Sequence, residues 1–318
     1  MKYTQFENDR LIDLVDLWNQ ELGDEFPMRT ALFEQNSFLD INLFGDGSLI
    51  AVNDDDRVIG FVVTKKWQDD IDVGISKETG WIQVLLVDRE YRNQGIGRRL
   101  LNHAEAKLKE SGMSRILLGM DTWHYFPGVP IEYQSSQEWF ERQGYKKGVV
   151  SHDLDCHFKD KDSASLPAKV GVEFTLLHKE EKEAFLSFLH RCFPGRWEYE
   201  AIQYFNKGGT GREFVVGKKH GNIIGFCRIN DSNSPFIAQN VYWAPLYHGE
   251  LGGIGPLGID ENERKNGYGL AIVAAGVYFL RSRNIQSIVI DWTGLVEFYQ
   301  KLGFDVCKSY QSYQKALN

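Results

Sequence analysis

Two six-residue segments of the chain carry the residue types and spacing of an anion cradle. They are Arg92-Asn93-Gln94-Gly95-Ile96-Gly97 and Arg264-Lys265-Asn266-Gly267-Tyr268-Gly269. Each follows an apolar, strand-like run (Ile82 to Val87; Ile254 to Ile259) and opens a helix-like one (Arg98 to Leu108; Leu270 to Leu280). Glycines let the backbone turn sharply and approach a ligand, and the first N–H groups of a helix have no partner inside it. A phosphate placed there meets those donors and the positive end of the helix dipole. The pattern therefore implies two phosphate-bearing ligand sites, or one site and a relic.

The elements around these turns repeat as well. Val58-Ile59-Gly60-Phe61-Val62 matches Ile223-Ile224-Gly225-Phe226-Cys227. Trp139-Phe140-Glu141-Arg142-Gln143-Gly144-Tyr145 matches Phe298-Tyr299-Gln300-Lys301-Leu302-Gly303-Phe304. Three matched segments in the same order indicate a duplicated domain. In the first copy Leu11, Leu14, Val15, Trp18 and Leu22 have helical spacing. Ser48 to Val52 and Arg57 to Lys65 read as a hairpin, and a strand at Arg115 to Met120 follows the second helix. The second copy repeats the order: a helix marked by Phe185, Phe188, Leu189 and Cys192, a hairpin, a strand, the turn, a helix, and a strand at Ser287 to Asp291. The stretch from Lys159 to Pro167 is polar and small and reads as a linker. The division is residues 1–158, a linker at 159–169, and 170–318, each half an ordinary domain size. The plan is mixed α/β, with helices packed on a sheet.

Composition narrows the functional classes. A formal net charge of −8 disfavours general nucleic-acid binding, and no apolar run is long enough to span a bilayer. The N-terminus lacks the layout of a signal peptide. Cys156, Cys192, Cys227 and Cys307 form no C-x-x-C pair and read as reduced core thiols of a cytoplasmic protein. His152, Cys156 and His157 are close in sequence, but alternate residues of a strand face opposite ways, so no metal site is expected.

Together the turns and the later aromatic-Gly-aromatic segments resemble the GNAT superfamily of acyl-CoA-dependent N-acyltransferases. The resemblance covers nearly the whole chain. It implies two tandem acyl-CoA-binding domains, each a mixed, mostly antiparallel sheet with splayed central strands flanked by helices. The implied cosubstrate is acetyl-CoA, its pyrophosphate held by backbone N–H groups of Asn93 to Arg98 or Lys265 to Leu270. In the first turn those residues are Asn93, Gln94, Gly95, Ile96, Gly97 and Arg98, with Arg92 preceding them. In the second they are Lys265, Asn266, Gly267, Tyr268, Gly269 and Leu270, after Arg264. The preceding strands, Leu85, Leu86 and Val87 or Leu257, Gly258 and Ile259, would take the pantetheine arm. The thioester would lie where that strand parts from the next. Pro256 supports a break there, because proline cannot donate to a sheet ladder.

The resemblance also implies a general acid on the late helix. Tyr299 holds that position in the second half, and Phe140, which has no proton to give, holds it in the first. A tyrosine hydroxyl suits the leaving thiolate, since its pKa of ~10 is close to that of an alkyl thiol. The second half is the favoured catalytic domain, and the first is expected to bind without turnover or to use another acid. The attacking amine needs a base or a water path. Asp291, Glu250 and His248 are candidates, with Asp291 equally suited to cap the next helix. Tyr242, Trp243, Tyr247 and Trp292 read either as an acceptor pocket or as core. The aromatic loop Trp123 to Pro130 reads as a cover for the first site or a docking segment, with His124 within it. The acceptor is expected to be a small-molecule amine, with a protein acceptor still open, as is oligomeric state. A tandem GNAT of thiol biosynthesis is a narrower enzymatic alternative. A non-catalytic acyl-CoA sensor or scaffold is the other class, and thiol release with an amine separates the two.

Overall fold

The computed structural model describes residues 1–159 and 165–317; residues 160–164 of the expected linker lie outside the described residues. Contacts gather the chain into two compact units. The first comprises Met1–Asp70, Ser76–Ser151 and Ser309–Asn318, and the second Ile71–Ile75 and His152–Lys308.

In the first unit the elements run β1 (Lys2–Gln5), α1 (Leu11–Leu22), α2 (Thr30–Asn36), β2 (Leu49–Val52), β3 (Val58–Lys66), β4 (Thr79–Val87), α3 (Ile96–Glu110), β5 (Arg115–Leu118), the short β6 (Val129–Pro130) and α4 (Gln134–Arg142), leading into β7 (Lys146–His157). Strands β1 to β4 are antiparallel neighbours, and β5 joins β4 in parallel. The second unit has β8 (Val172–Leu176), α5 (Lys182–Cys192), α6 (Arg196–Asn206), β9 (Phe214–Lys219), β10 (Asn222–Asn230), β11 (Leu251–Ile259), α7 (Tyr268–Arg281), β12 (Ser287–Thr293) and α8 (Val296–Gln300), before β13 (Asp305–Ala316). Here β8 to β11 are antiparallel neighbours and β12 joins β11 in parallel.

Neither unit is a contiguous half of the chain. Gln314, Lys315 and Ala316 of β13 pair with β5 and complete the first sheet, whereas Leu154 to His157 of β7 pair with β12 and complete the second. The division expected at residue 158 keeps each last strand with its own half; the structure exchanges them. Alternation along a strand reports which face is buried, not which strand lies alongside, so the exchange leaves no mark in the hydrophobic pattern.

In each unit one helix supplies the apolar face that covers the sheet. Ile96, Leu100, Leu101, Ala104 and Leu108 of α3 pack with Val62, Ile82 and Ile116. Ala271, Ile272, Val273, Ala275 and Leu280 of α7 pack with Cys227, Ile229, Ile254 and Ile288. On α3 these residues fall at helical spacing and turn one stripe to the core, whereas α7 is apolar around more of its girth and buries consecutive residues from Ala271 to Val273. Of the cysteines, Cys227 is buried there as expected, but Cys307 is exposed on β13.

The splay sits at the same register in both units. β4 pairs with β5 from Thr79↔Arg115 to Ile82↔Leu118 and then continues beside β3 alone. β11 pairs with β12 from Leu251↔Ser287 to Ile254↔Ile290 and then continues beside β10 alone. Two residues past each parting, Met120 (φ 68°) and Trp292 (φ 44°) have left-handed backbone. Such a conformation is uncommon away from glycine, and its repetition marks the same bend in both copies.

Candidate active site

The two glycine turns have closely similar local geometry. Asp88 and Asp260 each accept a hydrogen bond from the amide two residues on, at 2.9 and 3.0 Å. The Nε of Arg92 donates to the Val87 carbonyl (3.0 Å) and that of Arg264 to the Ile259 carbonyl (3.2 Å), tying each turn to the end of its strand. Asn93 and Lys265 are left-handed (φ 62° and 66°), as are Gly95 and Gly267 (φ 84° and 72°), each of which caps its helix. A Cβ at Gly95 would meet nothing within 4 Å, so backbone conformation rather than crowding calls for glycine there. The first amides to bond back into the helices are those of Arg99, to Gly95 O, and Ala271, to Gly267 O. The amides before them precede the helical ladder and form the donor cluster of an anion site.

In the second unit the turn opens into a cleft of about 380 Å³. Ile259, the stretch Gly267 to Leu270 and Phe298 line it, together with the charged Glu263, Arg264, Lys265 and Lys301. Glu263 is engaged by Lys219 at 2.8 and 3.1 Å, so the remaining charges on the wall are cationic. This donor set and charge fit the phosphates of a coenzyme A nucleotide. The cleft meets β11 at Ile259, and the parting from β12 begins at Gly255, roughly 13 Å away at the rise of a strand. A ligand held by its phosphates at the turn and reacting at the parting therefore lies extended along β11, whose edge away from β10 has no strand partner beyond Ile254 among the described residues.

Asp291 stands at the parting. Its Oδ1 accepts a hydrogen bond from Asn240 Nδ2 (3.1 Å), and the same amide donates to the Gly255 carbonyl (3.2 Å). Asn240 lies across β11 so closely that a Cβ at Gly253 would come within 1.9 Å of its Oδ1. The glycines of β11 thus admit a buried amide that aims a carboxylate. Burial, and then the nearby Glu200, raise the pKa of Asp291 above the ordinary aspartate value, against the pull of Arg196 and of the Asn240 hydrogen bond. Asp291 does not cap α8; Thr293 Oγ1 accepts from Leu295 N (3.0 Å) in the turn before that helix.

Tyr299, 5% exposed, packs in the second core. Burial raises its pKa above that of a free tyrosine, with smaller contributions from the neighbouring Cys227 and Asp291, while a hydrogen bond with Thr293 opposes the rise. Phe140 occupies the matching place on α4 and is buried in the first core.

Other candidates are separated from this centre. Glu250 accepts from Ser232 N and Oγ outside the strand, at the opposite end of β11, and His248 is exposed. Tyr242 and Trp243 are buried, and Tyr247 donates to Asp155 (3.0 Å). Trp292 alone of that group lies at the parting, with the Arg196 guanidinium 4.5 Å from its ring centroid. Its backbone N–H donates to Asp153 (2.9 Å). In the first unit the aromatic loop is interior: Tyr125 and Phe126 pack on Trp18, and His124 is buried with its Nδ1 2.9 Å from the Asp121 carbonyl.

Sequence reasoning missed Asn240 and a buried polar group beside it. Glu200 is held by Arg196 (2.5 Å), Gln239 (3.3 Å) and Arg228 (3.4 Å). Two signals were present: Arg228 and Asn230 interrupt an otherwise apolar strand, and three glycines crowd Gly252 to Gly255.

A cation-walled cleft at a helix N-terminus, on a sheet whose central strands part, fits the fold of the acyl-coenzyme A transferase class. The acetyltransferase (GNAT) family profile matches residues 11–127 and 182–304, and the chain belongs to that family. It is similar to a mycothiol acetyltransferase of Renibacterium salmoninarum (22% identical over 236 residues, 69% of this chain and 63% of the relative). It is also similar to one of Thermobispora bispora (26% over 145 residues, 39% and 43%). Among solved structures, a GCN5-related glucosamine N-acetyltransferase region of a fungal multi-domain GH3 β-N-acetylglucosaminidase superposes at TM-score 0.87, with 22% identity. The match covers 99% of this chain and 38% of that one. A tandem GNAT protein of clavulanic acid biosynthesis superposes at 0.70 with 12% identity, over 100% and 98% of the two chains. The chain thus spans under two thirds of both curated relatives.

Proposed function

We propose that the chain is an acetyl-CoA-dependent N-acetyltransferase acting on a small-molecule primary amine, with transfer in the second unit. Acetyl-CoA supplies an acetyl group as a thioester; transfer forms a carbon–nitrogen bond to the amine and breaks the carbon–sulfur bond. The N–H groups at Gly267 to Leu270, with Arg264, Lys265 and Lys301, hold the phosphates. Backbone groups of Leu257, Gly258 and Ile259 on the free edge of β11 guide the arm to the parting. Asp291 takes a proton from the acceptor ammonium, a task helped by a pKa raised above that of an ordinary aspartate. Tyr299, kept protonated by burial, gives its proton to the departing sulfur, and the second proton that the nitrogen sheds as the amide forms restores the tyrosine.

One observation carries this reading. Asp291, at the parting, lies close enough to Tyr299 for its charge to raise the tyrosine's pKa, in the unit that also holds the cation-walled cleft. The first unit keeps the turn but has Phe140, and it binds the nucleotide without transfer. The names of the curated relatives and of the fungal region support a small-molecule acceptor. A thiol-release assay with acetyl-CoA and a panel of primary amines tests the function. Release matched by an acetyl mass gain on the amine is expected. Tight coenzyme A binding with no release for any amine would replace the enzyme with a sensor.

A further inference from the structure

The class of acceptor is legible in groups that the transfer chemistry leaves unused. Arg228 and Asn230 share one face of β10, while Cys227 and Ile229 between and beside them face the core under α7. Both polar residues are buried, Arg228 at 1% exposure and Asn230 at 0%. Arg228 uses Nη1 on Glu200, and its guanidinium lies 4.5 Å from the Phe236 ring centroid, yet its Nε and Nη2 have no hydrogen-bond partner. Asn230 donates its Nδ2 to Asn240 (3.1 Å) and leaves its Oδ1 unpaired. Through Asn240 this residue is linked directly to Asp291. Buried donors and acceptors left unpaired are costly, so their persistence next to a reactive carboxylate points to a ligand that completes them.

We propose that Arg228 and Asn230 read the hydroxyl groups of a polyhydroxylated primary amine, an amino sugar or amino polyol, whose ammonium is taken by Asp291. The inference rests on the transfer reading above. Two donors and one acceptor are unmet, and a hydroxyl both accepts and donates, so a pair of neighbouring hydroxyls satisfies all three. A carboxylate only accepts; it would leave Asn230 Oδ1 unmet and would approach Glu200. A plain alkylamine or polyamine would leave both Arg228 donors bare. Glu200, Glu213 and Asp291 all place negative charge near the guanidinium, which suits an uncharged oxygen over an anion.

The test compares glucosamine with cyclohexylamine, the same ring size without hydroxyls, and with glycine and spermidine, using the full chain and acetyl-CoA. Glucosamine is expected to exceed the other three in kcat/KM by at least tenfold. Arg228→Met should raise KM for glucosamine at least tenfold, with a smaller effect on kcat, and should shrink its advantage over cyclohexylamine by a similar factor. Coenzyme A affinity by calorimetry serves as the control for folding. If Arg228→Met does not fold, Asn230→Leu carries the same comparison. Equal use of cyclohexylamine, preference for glycine or spermidine, or a variant that weakens all acceptors alike overturns the inference while leaving the transferase standing. Absence of thiol release with every amine overturns the transferase reading itself.

Discussion

The two partings have one backbone and different contents. In the first unit the space is filled by the protein's own side chains. Lys65, fully buried, places its Nζ 2.7 Å from Asp40 and 2.8 Å from Asp121. Gln83 donates to the Trp123 and Asn36 carbonyls at 2.9 and 3.1 Å. Register identifies the counterparts in the second unit. Lys65 pairs with Trp81 as Asn230 pairs with Gly253, and Gln83 follows Ile82 as Gly255 follows Ile254. A buried ammonium and a long amide are thus replaced by a short amide and a glycine, and Phe140 by Tyr299. The comparison teaches that a duplicated fold keeps its turn and its bend while a handful of side chains decides whether a buried ammonium or an Asn240–Asp291 pair occupies the gap.

The comparison breaks most easily at the turns. Gly267→Glu puts a carboxylate among the donors and a side chain at left-handed φ, where a non-glycine residue costs about 1 kcal/mol. Turnover in the thiol-release assay is expected to fall more than ~10³-fold. Gly95→Glu, equally strained, should leave turnover within about twofold while reducing coenzyme A stoichiometry in calorimetry. The reverse pattern would move catalysis to the first unit.

Next in size is Tyr299→Phe, which converts the second late helix to the chemistry of the first. Loss of a positioned acid should lower kcat by about 10³, or ~4 kcal/mol. Coenzyme A affinity should be unchanged. An undiminished rate would mean that Tyr299 is only a packing residue like Phe140.

Lys65→Met tests the filled gap. It strands Asp40 and Asp121 in the interior, and breaking such a pair costs about 3 kcal/mol or more. The loss should appear in the urea midpoint of the first unit, with kcat of the folded protein retained. A stable variant with lost turnover would show that Lys65 belongs to a site rather than a core.

The turns were legible because their signal is local: a strand, left-handed glycines and a helix within about twenty residues. The equivalence of Tyr299 and Phe140 on the two late helices was legible because the repeat aligns them. The carboxylate at the parting was placed from the end of its strand. Asn240, Glu200 and Arg228 were not, since three separate elements bring them together and no periodicity links them. Nor was the exchange of β7 and β13, because a strand's pattern is silent on its neighbour. The glycines at 253 and 255 were visible, but their meaning needed Asn240 lying across them.

The smallest expected effect distinguishes Asp291 most sharply from any residue of the filled gap. If Asp291 is the base, kcat/KM falls as pH drops and the carboxylate is protonated. Its raised pKa sets that limb above the ordinary aspartate range of ~3.9. Asp291→Asn should remove the limb and lower the rate about 10²-fold. Two neighbours then shift the limb in opposite directions. Asn240 donates to the charged form and holds the pKa down, so Asn240→Leu should move the limb to higher pH. Glu200 disfavours a second negative charge, so Glu200→Gln should move it to lower pH. A merely structural role for either residue would change the amplitude of the profile and leave its midpoint fixed. Opposite midpoint shifts, read from kcat/KM across pH, therefore require that the titrating group be Asp291.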